Sequence, residues 1–134
     1  MKRIKATIER ANDGNYSIYM AEQPSNYLIT ATGQTAEEAL QTFKENYEDM
    51  KHFYEEEGKP FEEVEFDYQY DMASFLSYFS KAFSLAGLSR ITGINQGQLS
   101  HYLTGHRQPS ARTKEKIQST IHKFAKDLQQ VSFV

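Results

Sequence analysis

Apolar and polar residues alternate at the start of the chain: Ile4, Ala6 and Ile8 interleave with Lys5, Thr7 and Glu9, the two-residue period of a half-buried strand. Asn12-Asp13-Gly14-Asn15 is a strong turn signal, and Tyr16, Ile18 and Met20 alternate on the far side of it, so the two runs predict a hairpin. Gln23-Pro24-Ser25-Asn26 breaks the chain again, and the β-branched and aromatic residues 27–32 predict a third strand. The period then lengthens. Thr35, with Glu38 three residues on, predicts a capped helix start, and Ala36, Ala39, Leu40, Phe43, Tyr47, Met50 and Tyr54 form one apolar stripe. Gly58 and Pro60 end that helix, and Val64, Phe66, Tyr68 and Tyr70 alternate with Glu63, Glu65, Asp67 and Gln69 as a fourth strand with an acidic face. A strand–helix–strand passage predicts that its two strands run parallel.

Beyond residue 70 the helical period persists. Asp71 is a natural N-cap, and Met72, Phe75, Leu76, Phe79 and Phe83 predict a helix packed behind whatever follows. Residues 84–105, SLAGLSRITGINQGQLSHYLTG, predict two short helices joined by a tight turn. Ser84 caps the first, Leu85, Leu88 and Ile91 line it, and Gly93 suits the left-handed corner that ends it. Asn95 caps the second, with Gln98 placed to complete a capping box; Leu99, Tyr102 and Leu103 form its apolar face and Gly105 stops it. Ser110 opens a last helix striped by Ile117, Ile121, Phe124, Leu128 and Val131. The distal part of that stripe faces either a second subunit or the protein's own core. The expected fold class is α+β: a β-β-β-α-β domain over residues 1–70 and an all-α domain over residues 71–134.

The net charge of −3 conceals an asymmetry: residues 1–70 hold 7 Lys+Arg against 15 Asp+Glu, and residues 71–134 hold 8 against 3. A polyanion is drawn to the second half and repelled by the first. Cysteine is absent, which removes disulfides and thiolate metal sites. No apolar run is long enough for a membrane span and Met1-Lys2-Arg3-Ile4 lacks a signal-peptide core, so a cytoplasmic protein is expected. The four histidines, His52, His101, His106 and His122, have no metal-ligand spacing in the sequence, and neither metal nor cofactor is expected. A carboxylate-dependent nuclease could enlist Glu9, Asp13, Glu22 and Asp67, but most of these fall at turns or on an outer strand face, so the expectation is a protein that is not an enzyme.

Residues 71–128 resemble the helix-turn-helix of Xre/Cro-type phage-repressor regulators. The resemblance is carried by Leu88 and Ser89, Gly93 at the turn, Ile94, Leu99 and Tyr102, and the trailing Gly105-His106-Arg107-Gln108-Pro109-Ser110. Residues 1–70 resemble the N-terminal domain of HicB-family antitoxins, a truncated ribonuclease-H-like fold, through Asp13-Gly14, Tyr16, Gly33, Thr35, Glu37-Glu38-Ala39-Leu40 and Glu57-Gly58-Lys59-Pro60. Where that family has a compact Asp-Leu-Pro-Gly turn, this chain has the longer Glu22-Gln23-Pro24-Ser25-Asn26.

The second helix of the pair has a polar face rich in amides: Gln96, Gly97, Gln98, Ser100 and His101 are the expected base-contacting residues. Amides and imidazole donate and accept, as base edges in the major groove do. Gln96 ranks first, because Gln98 can instead serve the cap; Gly97 suits close approach of the backbone to a base or sugar. Ser84, Asn95, His106, Arg107, Arg112 and Lys114 are the expected phosphate contacts. The combined resemblances imply an antitoxin of a type II toxin–antitoxin module. It would mask a small basic HicA-type mRNA interferase, with Glu22, Glu63, Glu65 and Asp67 toward the toxin, and repress its own operon by binding double-stranded operator DNA as a homodimer or higher even oligomer. The alternative is a solitary helix-turn-helix regulator whose first domain senses a ligand or dimerises.

Overall fold

A computed structural model describes residues 1–22 and 26–134. The predicted break at Gln23-Pro24-Ser25 lies outside the described residues. The protein is mixed α+β, with a four-stranded mixed sheet and five α-helices among the described residues. It forms two compact units, Met1–Tyr78 and Phe79–Val134. None of its described helices is long and apolar enough to cross a membrane.

The first unit comprises β1 (Lys2–Arg10), β2 (Tyr16–Met20), β3 (Thr30–Gly33), α1 (Ala36–Glu56), β4 (Val64–Tyr70) and α2 (Met72–Tyr78). Its sheet has the order β3-β2-β1-β4. β2 is antiparallel to both β1 and β3, and β4 is parallel to β1, with Ile4 opposite Phe66 and Ala6 opposite Tyr68. β3 and β4 therefore run in one direction, as the strand–helix–strand passage predicts, but at opposite edges with β2 and β1 between them.

Alternation decides which face is covered. Ile4, Ala6, Ile8 and Ile18 are wholly buried and join Ala36, Ala39, Leu40, Phe43 and Tyr54 of α1 in one core. Phe43 is the aromatic centre: Phe66 and Tyr68 of β4 meet it edge-on at 4.9 and 6.3 Å. Thr35 caps α1 as predicted, its hydroxyl accepting the Glu38 N–H at 3.0 Å. At Gly33 a Cβ would stand 2.6 Å from the Ala39 nitrogen, so β3 delivers the chain into α1 with no space for a side chain.

Two elements differ from the sequence expectation. The third strand covers Thr30–Gly33 rather than residues 27–32. Tyr27 and Ile29 bury their side chains without joining the ladder: the Tyr27 ring stacks on Phe61 at 4.5 Å, its hydroxyl donates to the Glu62 carbonyl, and the Ile29 N–H goes to the Met20 sulfur.

The helix expected to run from Asp71 through Phe83 ends at Tyr78, and Phe79–Lys81 is a 3-10 turn. α2 packs on β1, α1 and β4, so the compact units meet between Tyr78 and Phe79 rather than between residues 70 and 71. Asp71 is the physical reason. Its backbone N–H donates to the Ile8 carbonyl, one carboxylate oxygen caps α2 through the Ser74 N–H at 2.8 Å, and the other accepts the Arg10 N–H at 3.0 Å. One side chain thus starts the helix and fastens it to the end of β1.

The half-buried phenols of this unit make it sensitive to alkali. Burial, reinforced by neighbouring Tyr78 and Tyr68, pushes the Tyr70 phenol from 10.0 up to about 12, and burial also raises Tyr68 and Tyr27. A raised phenol stabilises the folded state fully below the unfolded value and loses that contribution as pH rises through the folded one. The denaturant midpoint is therefore expected to fall between pH 10 and pH 12, with part of that slope absent in Tyr70→Phe; urea titrations across this range, read alongside phenolate absorbance, check it.

Candidate nucleic-acid interface

The second unit comprises the 3-10 turn and α3 (Leu85–Thr92), α4 (Gln96–Leu103) and α5 (Ala111–Gln129). Each helix start is capped by the residue the sequence nominates. Ser84 Oγ accepts the Gly87 N–H at 3.0 Å, Asn95 Oδ1 accepts the Gly97 and Gln98 N–H groups at 2.8 and 3.3 Å, and Ser110 Oγ accepts the Thr113 N–H at 3.2 Å. Four peptide donors at the starts of α3, α4 and α5 are thereby spent internally, while the exposed cap residues still present a polar rim.

The corner between α3 and α4 is fixed by side chain and backbone together. Gly93 adopts φ 73 and donates its N–H to the Ser89 carbonyl. Thr92 is 2% exposed; its hydroxyl donates to the Leu88 carbonyl at 2.7 Å and accepts the Ile94 N–H at 3.2 Å. Ile94, Leu99, Tyr102 and Ile117 bury beneath this corner, so the opposite face of α4 turns outward. Gln96, Gly97, Gln98 and His101 are exposed on it and Ser100 is half-buried.

Within that face the residues are not equivalent. Gln96 stands at the exposed first position of α4. Gln98 does not complete a capping box: its amide nitrogen donates to the Tyr102 hydroxyl at 2.8 Å, because a hydroxyl one turn ahead competes with the backbone behind. Gly97 has a reason within the protein, since a Cβ there would sit 3.1 Å from the Asn95 cap oxygen. The His101 carbonyl accepts the Thr104 hydroxyl and the Arg107 N–H, and its ring meets that of His106 at 4.9 Å between centroids.

Arg107, Arg112 and Lys114 are exposed around this face. Lys116 was not singled out from the sequence. Its Nζ lies 3.4 Å from where a Gly93 Cβ would stand, which puts a further cation over the corner; its signal was the four-residue step from Arg112 along one side of α5. The second unit carries eight Lys+Arg against Glu115 and Asp127 alone. The distal stripe expected for the last helix divides: Phe124 meets Phe83 edge-on at 5.8 Å, Leu128 is more than half exposed, and Val131, also more than half exposed, lies past the end of α5 at Gln129.

The acidic residues expected to face a partner lie in the first unit, and they do not form one patch. Glu65 and Asp67 project from the uncovered sheet face beside Arg3 and Lys5, their cross-strand partners, with Arg3 3.8 Å from Asp67. Glu63 pairs with Lys51 of α1 at 2.6 Å, and Glu22 is exposed past the end of β2. Of the residues a nuclease might enlist, Glu9 accepts the Tyr19 hydroxyl and Asp13 closes its own turn through the Asn15 N–H. No group of three or more His, Asp or Glu side chains among the described residues is placed to hold a metal. Leu28, Met50 and Phe53, with Asp49 at their margin, line a shallow apolar patch beside edge strand β3.

Compared with family models, curated proteins and solved structures, the chain matches none.

The Thr92 hydroxyl carries a stability prediction. Thr92→Val keeps the shape but leaves the Ile94 N–H buried without an acceptor, and such a group costs ~1–3 kcal/mol. The second unit is expected to lose that much in urea unfolding while the first unit's transition stays in place.

Proposed function

We propose that this protein is a DNA-binding repressor of the antitoxin type, whose second unit is a helix-turn-helix that lays α4 in the major groove of operator DNA. The observation that carries the reading is the capped, outward face of α4, with Gln96 exposed at its N-terminal end and cations on the segments around it. Helices of this class present their N-terminal residues to base edges while flanking groups grip phosphates. In this reading Gln96 makes the bidentate contact, Ser100 and His101 add to it, and Gln98 acts with the one amide oxygen its bond to Tyr102 leaves over. Arg107, Arg112, Lys114 and Lys116 hold phosphates, aided by Ser84, Asn95 and His106 at the rim. A single unit of this size spans few base pairs, so the repressor acts as a homodimer or higher even oligomer, and exposed Leu128 and Val131 are its pairing surface.

The first unit, on this proposal, is the HicB-like half that masks a small basic HicA-type mRNA interferase. Support comes from its excess of acid and from the Leu28–Met50–Phe53 patch, which offers apolar anchorage beside Asp49. One observation favours the rival reading of a solitary regulator: Arg3 and Lys5 offset Glu65 and Asp67 on the sheet face, which weakens the field a basic toxin would meet. Co-expression with the product of the adjacent reading frame separates the two. Stable co-purification with a small basic protein supports the antitoxin, and its absence supports the solitary regulator.

On an operator selected from randomised duplex, Gln96→Ala is expected to lose ~1–3 kcal/mol of affinity and to bind random duplex as before. Arg107→Ala is expected to weaken every duplex and to flatten the logarithmic salt dependence by about one unit. Fluorescence anisotropy at several salt concentrations reads both. Equal loss on random duplex would remove Gln96 from base reading, and an unaltered slope would remove Arg107 from phosphate contact.

A further inference from the structure

The end of α4 brings two imidazoles together. His101 is in the last turn of the helix; Thr104 caps it, Gly105 takes φ 77, and the Arg107 N–H reaches back to the His101 carbonyl at 3.2 Å. The chain is thereby folded back on the helix end, and the ring of His106 returns against that of His101, with centroids 4.9 Å apart and planes inclined at 62°. Both side chains are exposed. The side-chain carboxylates of this unit, Glu115 and Asp127, belong to α5, and neither is ion-paired to these rings.

We propose that His101 and His106 form a two-imidazole chelate for a divalent ion of the zinc, nickel and copper class. A metal–nitrogen bond of ~2.0–2.1 Å puts each imidazole centroid ~3.2 Å from the ion, so two rings on one ion lie ~4.5 Å apart at a right angle and ~5.2 Å apart at the tetrahedral angle. The observed 4.9 Å falls between these limits, and both side chains are exposed, open to an ion from solvent. The last carbonyls of α4 point toward the same end and favour a cation there. Nitrogen donors select this class of ion over magnesium and calcium, which take oxygen, and the expected order of affinity puts copper above nickel and zinc. Two protein ligands leave the remaining positions to water or to a ligand from outside, so the ion exchanges freely. The chelate stands independently of DNA binding. Only its consequence rests on that reading: an ion on His101 takes that ring away from the base-contacting face.

Nickel titration of the full chain, followed by NMR of the histidine ring nitrogens, tests the site. The His101 and His106 signals are expected to broaden together, at a nickel concentration about tenfold or more below that affecting His52 and His122. His101→Gln and His106→Gln are each expected to weaken binding by about tenfold or more, with far-UV circular dichroism unchanged, and His122→Gln is expected to leave it intact. Parallel broadening of all four rings, or undiminished affinity in His106→Gln, overturns the chelate. A chain that binds nickel but no duplex keeps the chelate and loses the repressor, so the two failures are distinct.

Discussion

The hydroxyl of Thr92 sets the corner on which the second unit depends. By donating to Leu88 and accepting from Ile94, it closes α3 and begins the approach to α4 within one buried group. Gly93 supplies the left-handed step between them, which a side chain makes only with strain. Ile94 is then drawn inward, Asn95 is left at the start of α4 with its carboxamide over two peptide donors, and Leu99 and Tyr102 follow into the core. In a unit this small the buried area is modest, so a single unsatisfied donor at the corner weighs heavily. The outward direction of Gln96 follows from these bonds rather than from any property of Gln96 itself.

What the sequence made legible was local. Thr35, Ser84, Asn95 and Ser110 all cap donors two or three residues away, so residue type and spacing were enough to place them. Strand alternation in β1, β2 and β4 was equally plain, because one side of the sheet is covered and the other is not. What could not be read depended on remote partners. The allegiance of α2 turns on a bond from Asp71 to Arg10 across 61 positions, and the apolar stripe through Phe83 gave no sign of it. Residues 27–29 look like a strand because they are aromatic and aliphatic; their backbone stays out of the ladder, and the Met20 sulfur takes the Ile29 N–H. Gln98 had two local partners within reach, the Asn95 N–H behind as a donor and the Tyr102 hydroxyl ahead as an acceptor, and spacing alone did not choose between them. The approach of His106 to His101 depended on the φ of Gly105, which the sequence permits without requiring.

Charge behaved similarly. The count of acidic residues in the first half was correct as a sum and uninformative as a map. On the open sheet face, cross-strand pairing sets Arg3 and Lys5 beside Glu65 and Asp67, so the field there is largely local and short-ranged. The unbalanced acid lies instead on the exposed side of α1, at Glu37, Glu38, Glu45, Glu48, Asp49, Glu55 and Glu56. Toward the helix end this accumulation is tolerated with Glu57, Gly58 and Lys59 still closing the last turn through backbone bonds.

The chain has nine tyrosines and no tryptophan, so its ultraviolet emission is tyrosine emission. Every one of them but Tyr102 belongs to the first unit. Tyr102 is buried, and its hydroxyl accepts from the Gln98 amide on the outward side of α4. The second unit therefore contains a single intrinsic fluorophore, wired by one hydrogen bond to the helix face that meets the solvent. Whatever draws the Gln98 amide away from that hydroxyl alters the surroundings of this one phenol, while the other eight tyrosines belong to the first unit.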